Sequence, residues 1–275
     1  AAAGAEVFEE ASQSIINFNN SGLSILEIGH RTPLFQQVMD EAIASARALM
    51  KLDDDHEVLF LQGGATTQFM QVPMNLLNDN EVADYTDTGV WATKAIKEAR
   101  LFGNVDIICS SKETNYNFLP KNFSVNRGSK YLHITTNNTI YGTQWHNMNL
   151  FFQDGIPLVA DMSSDFLSRE MDYNRFDLIY AGAQKNIGPV GLTAVIVRED
   201  LLGRRAEAAD LLDRERVVLQ ALGERAVVLL GEDRRRHEHE HLLAGVGGLE
   251  RGAQRDLGLA EADVAADEPV HRALG

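Results

Sequence analysis

Cysteine is almost missing: Cys109 is the single one in 275 residues. That excludes a disulfide framework and makes a reducing cytoplasm the natural setting. Positive charge is short as well, with 25 lysines and arginines against 40 aspartates and glutamates and a formal net charge of −15. A surface of that sign repels phosphate backbones and anionic bilayers, so neither nucleic acid nor a membrane is expected as a partner. No apolar run approaches the roughly 20 residues that span a bilayer. The opening Ala1-Ala2-Ala3-Gly4 has neither a basic segment nor an apolar one, so no signal peptide is expected. Beyond residue 203 the scarcities deepen, because residues 204–275 contain no lysine, serine, threonine, asparagine, isoleucine, methionine or aromatic residue. Aromatics supply large buried areas in ordinary cores, and their absence over so long a stretch marks this tail as atypical.

The first 203 residues, by contrast, read as strands alternating with helices. Apolar periodicity predicts amphipathic helices at 6–18 and 34–51, with Pro33 near the start of the second, where a missing N–H does no harm. A strand at 57–61 leads through a Gly63-Gly64-Ala65-Thr66-Thr67 turn into a helix ending at Leu77. A strand at 82–85 leads through Thr88-Gly89-Val90-Trp91 into a helix ending near Gly103. Short apolar runs at 105–110, 131–135, 158–160, 176–180 and 191–197 read as further strands. The alternation predicts an α/β fold with a mostly parallel sheet flanked by helices. Cys109, set among Val105, Ile107 and Ile108, reads as a buried structural thiol.

In open α/β sheets ligands gather at the carboxyl ends of the strands, and Gly63, Trp91, Asp161 and Lys185 fall there. Lys185 lies between two core strands, in Tyr180-Ala181-Gly182-Ala183-Gln184-Lys185-Asn186. Burying an ammonium costs several kcal/mol unless it is paired or consumed, which leaves two readings. One is a surface lysine in a connecting loop; the other is an amine that condenses to an imine with an aldehyde cofactor. Asp161, with one helix and one strand expected between it and Lys185, is either a helix cap or a buried carboxylate that keeps a pyridine nitrogen protonated. Trp91 either fills the core or offers a flat surface to a stacked ring. His30-Arg31 is either a solvated pair or a clamp for an anionic substrate group. The Gly63 turn, a strand running into a helix N-terminus, makes an anion site that many such turns leave unused.

Five segments carry a resemblance over residues 6–203. They are Glu27-Ile28-Gly29-His30-Arg31, Phe60-Leu61-Gln62-Gly63-Gly64-Ala65, Asn137-Asn138-Thr139-Ile140-Tyr141-Gly142, Ala160-Asp161-Met162-Ser163-Ser164-Asp165 with Ser168-Arg169, and Ile179-Tyr180-Ala181-Gly182-Ala183-Gln184-Lys185-Asn186. Together they resemble the phosphoserine aminotransferase family, fold-type I pyridoxal-phosphate enzymes of the class V aminotransferases. The resemblance implies pyridoxal 5′-phosphate held covalently by Lys185, which would also move the substrate α-proton. It implies Asp161 on the ring nitrogen, Trp91 stacked on the ring, Ala65, Thr66 and Gln184 around the cofactor phosphate, and Thr139 as a further cofactor contact. His30 and Arg31 would bind the distal anion of the substrate. The reaction implied is amino transfer between glutamate and 3-phosphohydroxypyruvate, giving phosphoserine and 2-oxoglutarate. The family also serves vitamin B6 synthesis through 4-phosphohydroxythreonine, and its members are homodimers. No metal is implied.

The resemblance stops after Leu201-Leu202-Gly203, which divides the chain into a cofactor-binding large domain at 1–203, clipped at its start, and an atypical tail at 204–275. A frame-shifted translation would explain the tail's composition; a genuine helical tail is the alternative, since residues 215–230 are rich in helix formers. Without the family's C-terminal region, poor or absent turnover is expected; the alternatives are an inactive truncated or frame-shifted remnant and another class V aminotransferase acting on a different amino donor. His237, His239 and His241 would share one face of a strand as metal ligands, or form part of a solvated charge run.

Overall fold

A computed structural model of the chain describes residues 4–203. The expectations for the tail, its frame, its helix and the three histidines lie outside the described residues. Within them, α1 (Ala5–Asn17) and α2 (Pro33–Met50) come first, then β1 (His56–Gln62), α3 (Gly64–Leu76), β2 (Val82–Asp87), α4 (Val90–Ala99) and β3 (Asn104–Ser110). After these come β4 (Leu132–Thr135), the small hairpin β5 (Asn137–Asn138) and β6 (Thr143–Gln144), β7 (Leu158–Asp161), β8 (Leu178–Gly182) and β9 (Leu192–Arg198). Seven strands form one sheet in the order β1-β9-β8-β7-β4-β2-β3. Six run the same way, and β9 alone is reversed, antiparallel to both neighbours. The mostly parallel α/β architecture read from the sequence is therefore the one observed.

The sheet is sandwiched because its strands are apolar on both faces, as parallel sheets require. Along β8, Ile179 and Ala181 enter one core while Leu178 and Tyr180 enter the other. Along β9, Ala194 and Ile196 alternate in the same way with Val195 and Val197. Helices α3 and α4 cover the second face through Phe69, Val72, Ala95, Ile96 and Ala99. Met50, from the end of α2, joins the first core with Trp145, Phe151, Phe166 and Tyr173. The start of α2 is well specified: Thr32 accepts from the Phe35 N–H, and Pro33 occupies the first turn.

Two local expectations change. The helix after Trp91 ends at Ala99 and the chain reaches Gly103 through a turn. No α-helix joins β7 to β8; the connection is turns and a three-residue 3₁₀ segment, Tyr173–Arg175. Asp165 pins those turns, accepting from Gln144 Nε2, Ser168 Oγ and the Arg169 guanidinium. With its own carboxylate satisfied in this way the connection holds its shape without a helical ladder. None of the described helices is long and apolar enough to cross a membrane.

Candidate functional site

The ends of β1, β7 and β8 and the reversed start of β9 meet at one edge of the sheet. There the Gly63 N–H donates to the Gly191 carbonyl at 3.0 Å and the Ala183 N–H to Leu192 at 2.9 Å, so the Lys185 turn is anchored at both ends. Lys185 is half-buried in that turn. Its Nζ lies 6.0 Å from the centroid of the Trp91 ring. Trp91, in the first turn of α4, is half-buried too, and Lys94 Nζ stands 4.5 Å over the same ring from an exposed position.

Asp161 closes β7 with only 5 % of its surface exposed. Burial pushes its pKa up, while two hydrogen bonds from Ser163 and the charge of Lys185 pull it back toward the ionised form. The Ser163 N–H donates at 3.0 Å and Ser163 Oγ at 2.7 Å, and both bonds fall on Oδ1. The Gly182 N–H in turn donates to Ser163 Oγ at 3.1 Å, which ties the carboxylate to the strand that leads into Lys185. No helix follows β7 for Asp161 to cap; its carboxyl instead fastens the turn through Ser163 and lies buried within reach of the Lys185 charge.

At the end of β1, Gly63 adopts a left-handed backbone, φ 107°, that suits glycine; a Cβ there would collide with the Thr67 hydroxyl. No side chain caps α3, so the N–H groups of Gly64, Ala65 and Thr66 open outward from the positive end of a 13-residue helix. Thr66 is exposed and Ala65 half-buried. Gln184 is exposed and lies against Gly182. Thr139 is exposed in the β5–β6 turn, whose Asn138 donates to Thr88 Oγ1 and Thr143 Oγ1. Gly89, just before α4, is pressed so closely by the Asn138 side chain that a Cβ would not fit. His30 and Arg31 are exposed on the turn before α2.

Three buried participants were not read from the sequence. Ser163 had a local signal, since an Asp followed two residues later by an N–H donor is the Asx-turn pattern. His133 and Tyr180 had none, because their meeting depends on strand order: Tyr180 OH and His133 Nε2 are 2.8 Å apart, and His133 stacks on Tyr85 with centroids 4.6 Å apart. Burial drives the His133 pKa down to about 3, so the ring is neutral. Cys109 is buried, and its thiol is pushed up to about 12, which makes it the inert thiol expected. Replacing Ser163 by alanine is expected to raise the Asp161 pKa further and to cost about 1–3 kcal/mol of stability, because a buried carboxylate loses a donor. Urea denaturation monitored by circular dichroism measures this; an unchanged midpoint would show that the hydroxyl holds nothing.

The architecture and this edge of the sheet define a class of protein, and comparison with known proteins agrees. The Aminotransferase class-V family profile matches residues 1–210, and the chain belongs to that family. It is 54% identical over 200 residues to the phosphoserine aminotransferase of Flavobacterium johnsoniae, covering 72% of this chain and 55% of the relative. The chain therefore spans about half the length of the curated relatives it matches. Among solved structures it superposes on the phosphoserine aminotransferase of Bacillus circulans subsp. alkalophilus with a TM-score of 0.71 and 37% identity, over 93% of this chain and 71% of that one. The PLP-bound phosphoserine aminotransferase of Trichomonas vaginalis gives a TM-score of 0.65 and 30% identity, over 74% and 57%.

Proposed function

We propose that this chain binds pyridoxal 5′-phosphate and transfers an amino group between L-glutamate and 3-phosphohydroxypyruvate, giving O-phospho-L-serine and 2-oxoglutarate. The observation that carries the proposal is the convergence of a half-buried amine, an indole face and a buried carboxylate at one edge of the sheet. The relatives named above support the choice of reaction.

The residues fit the cofactor. Asp161 keeps Oδ1 engaged with Ser163, so Oδ2 can accept a hydrogen bond from a protonated ring nitrogen. The uncapped N-terminus of α3 offers the Ala65 and Thr66 N–H groups to a phosphate, and Gln184 would join them. Trp91 would stack on the ring and Thr139 would contact it from the hairpin. When bound, the cofactor supplies an electron sink that stabilises negative charge at the substrate α-carbon.

The protein's own side chains do the rest. Lys185 would hold the cofactor covalently and then carry the proton from the substrate α-carbon. Asp161, whose ionised form Ser163 and Lys185 favour against the opposing effect of burial, would hold the ring nitrogen in its protonated form. Arg31, assisted by His30, would receive the distal anion of the substrate, where a guanidinium suits a phosphate or carboxylate. The proposal extends to a homodimer in the cytoplasm and to the second use of the same chemistry in pyridoxine synthesis.

The test is glutamate formation from phosphoserine and 2-oxoglutarate by the purified chain. Formation that depends on added pyridoxal phosphate supports the reading; turnover at ordinary rates would overturn the expectation of impairment. Cofactor binding with no amino transfer would withdraw the reaction and leave the binding.

A further inference from the structure

Asp87 ends β2 with its carboxylate enclosed, 4 % exposed. Three hydroxyls from three separate segments donate to it. Thr93 Oγ1 at 2.7 Å and Tyr116 OH at 3.3 Å reach Oδ1, and Ser110 Oγ at 3.1 Å reaches Oδ2. Among the described residues no ion pair includes it. Burying a polar group costs free energy unless it is hydrogen-bonded, and here the three donors that satisfy the carboxylate also join three segments of the chain.

What the joint connects is informative. Thr93 lies two residues after Trp91 on α4, and its hydroxyl also meets the Gly89 carbonyl and Tyr116 OH at 3.1 and 2.9 Å. The Tyr116 ring packs on Tyr141 with centroids 4.9 Å apart, and Tyr141 follows Thr139 by two residues in the β5–β6 turn. Asn115 and Tyr116 both hold left-handed backbone, φ 56° and 58°, which non-glycine residues keep only where their surroundings impose it. From the other side, Asn138 grips Thr88 and crowds Gly89. One buried carboxylate therefore connects the base of Trp91 to the turn that bears Thr139.

We propose that Asp87 is a positioning residue for the cofactor site, setting the Trp91 plate through Thr93 and the Thr139 turn through Tyr116 and Tyr141. The inference rests on the pyridoxal-phosphate reading above and adds to it a residue that does not itself touch the cofactor.

The experiment titrates the parent chain and the variants D87A, D87N, T93V and Y116F with pyridoxal phosphate. It records affinity and the visible circular dichroism of the bound cofactor, which reports the asymmetry of its surroundings, beside urea denaturation of each variant. D87A is expected to bind about tenfold more weakly with diminished dichroism, T93V and Y116F to fall between it and the parent. D87N is expected near the parent, because its amide oxygen still accepts from Thr93 and Tyr116. A D87A chain that is less stable yet binds with parental affinity and dichroism would overturn the proposal. If D87A fails to fold, the same result for T93V and Y116F would overturn it. A parent chain that binds no pyridoxal phosphate would remove the cofactor reading itself and this proposal with it.

Discussion

Lys185→Ala is expected to slow amino transfer by at least about 10³-fold, the scale on which a positioned proton carrier acts. The loss should be nearly the same in Lys185→Arg, since a guanidinium keeps the charge beside Asp161 but does not give up its proton at neutral pH. A purely electrostatic role would instead be rescued by arginine, so the pair of variants separates proton transfer from charge. Lys94 is the internal control. It stands nearer the Trp91 ring than Lys185 does, yet it is exposed where Lys185 is half-buried. Lys94→Ala is expected to retain parental turnover. Steady-state rates of glutamate formation check all three, and a Lys185→Ala chain within tenfold of the parent would end the assignment.

Asp161→Ala is expected to reduce amino transfer by about 10²–10⁴-fold. Removing one partner of a buried charge pair costs roughly 3–5 kcal/mol, and each 1.36 kcal/mol is a factor of ten. Asp161→Asn sharpens the test. Its side-chain oxygen can still accept from the Ser163 N–H and Oγ, so the turn survives and only the charge is lost. A comparable loss in both variants identifies the charge as the working feature. Parental turnover in Asp161→Asn would show that the carboxylate serves only to shape the turn.

Most of the sheet was legible because strand and helix alternation is written in local apolar pattern. The run Leu178-Ile179-Tyr180-Ala181 looks buried on both faces, and it is. Direction was less legible: the apolar run from Leu192 to Val197 reads the same forwards and backwards, so the reversal of β9 left no mark. The connection between β7 and β8 was misjudged as helical because its fastening residue, Asp165, works through Gln144, 21 residues away. Asp161 and Lys185 each stand at the end of an apolar strand, a position that the local pattern does reveal. Their second layer is different in kind. Asp87 meets Ser110 and Tyr116 at separations of 23 and 29 residues, and His133 meets Tyr180 at 47, so only strand order brings these groups together.

The most direct measurement is the location of the covalent bond in the parent chain. The protein is mixed with pyridoxal phosphate, treated with borohydride, digested, and mapped by mass spectrometry. One modified lysine, Lys185, is the expected result, with Lys94 unmodified. Attachment at Lys94 or elsewhere, or none at all, would contradict the central claim that the turn after β8 is where the cofactor is held.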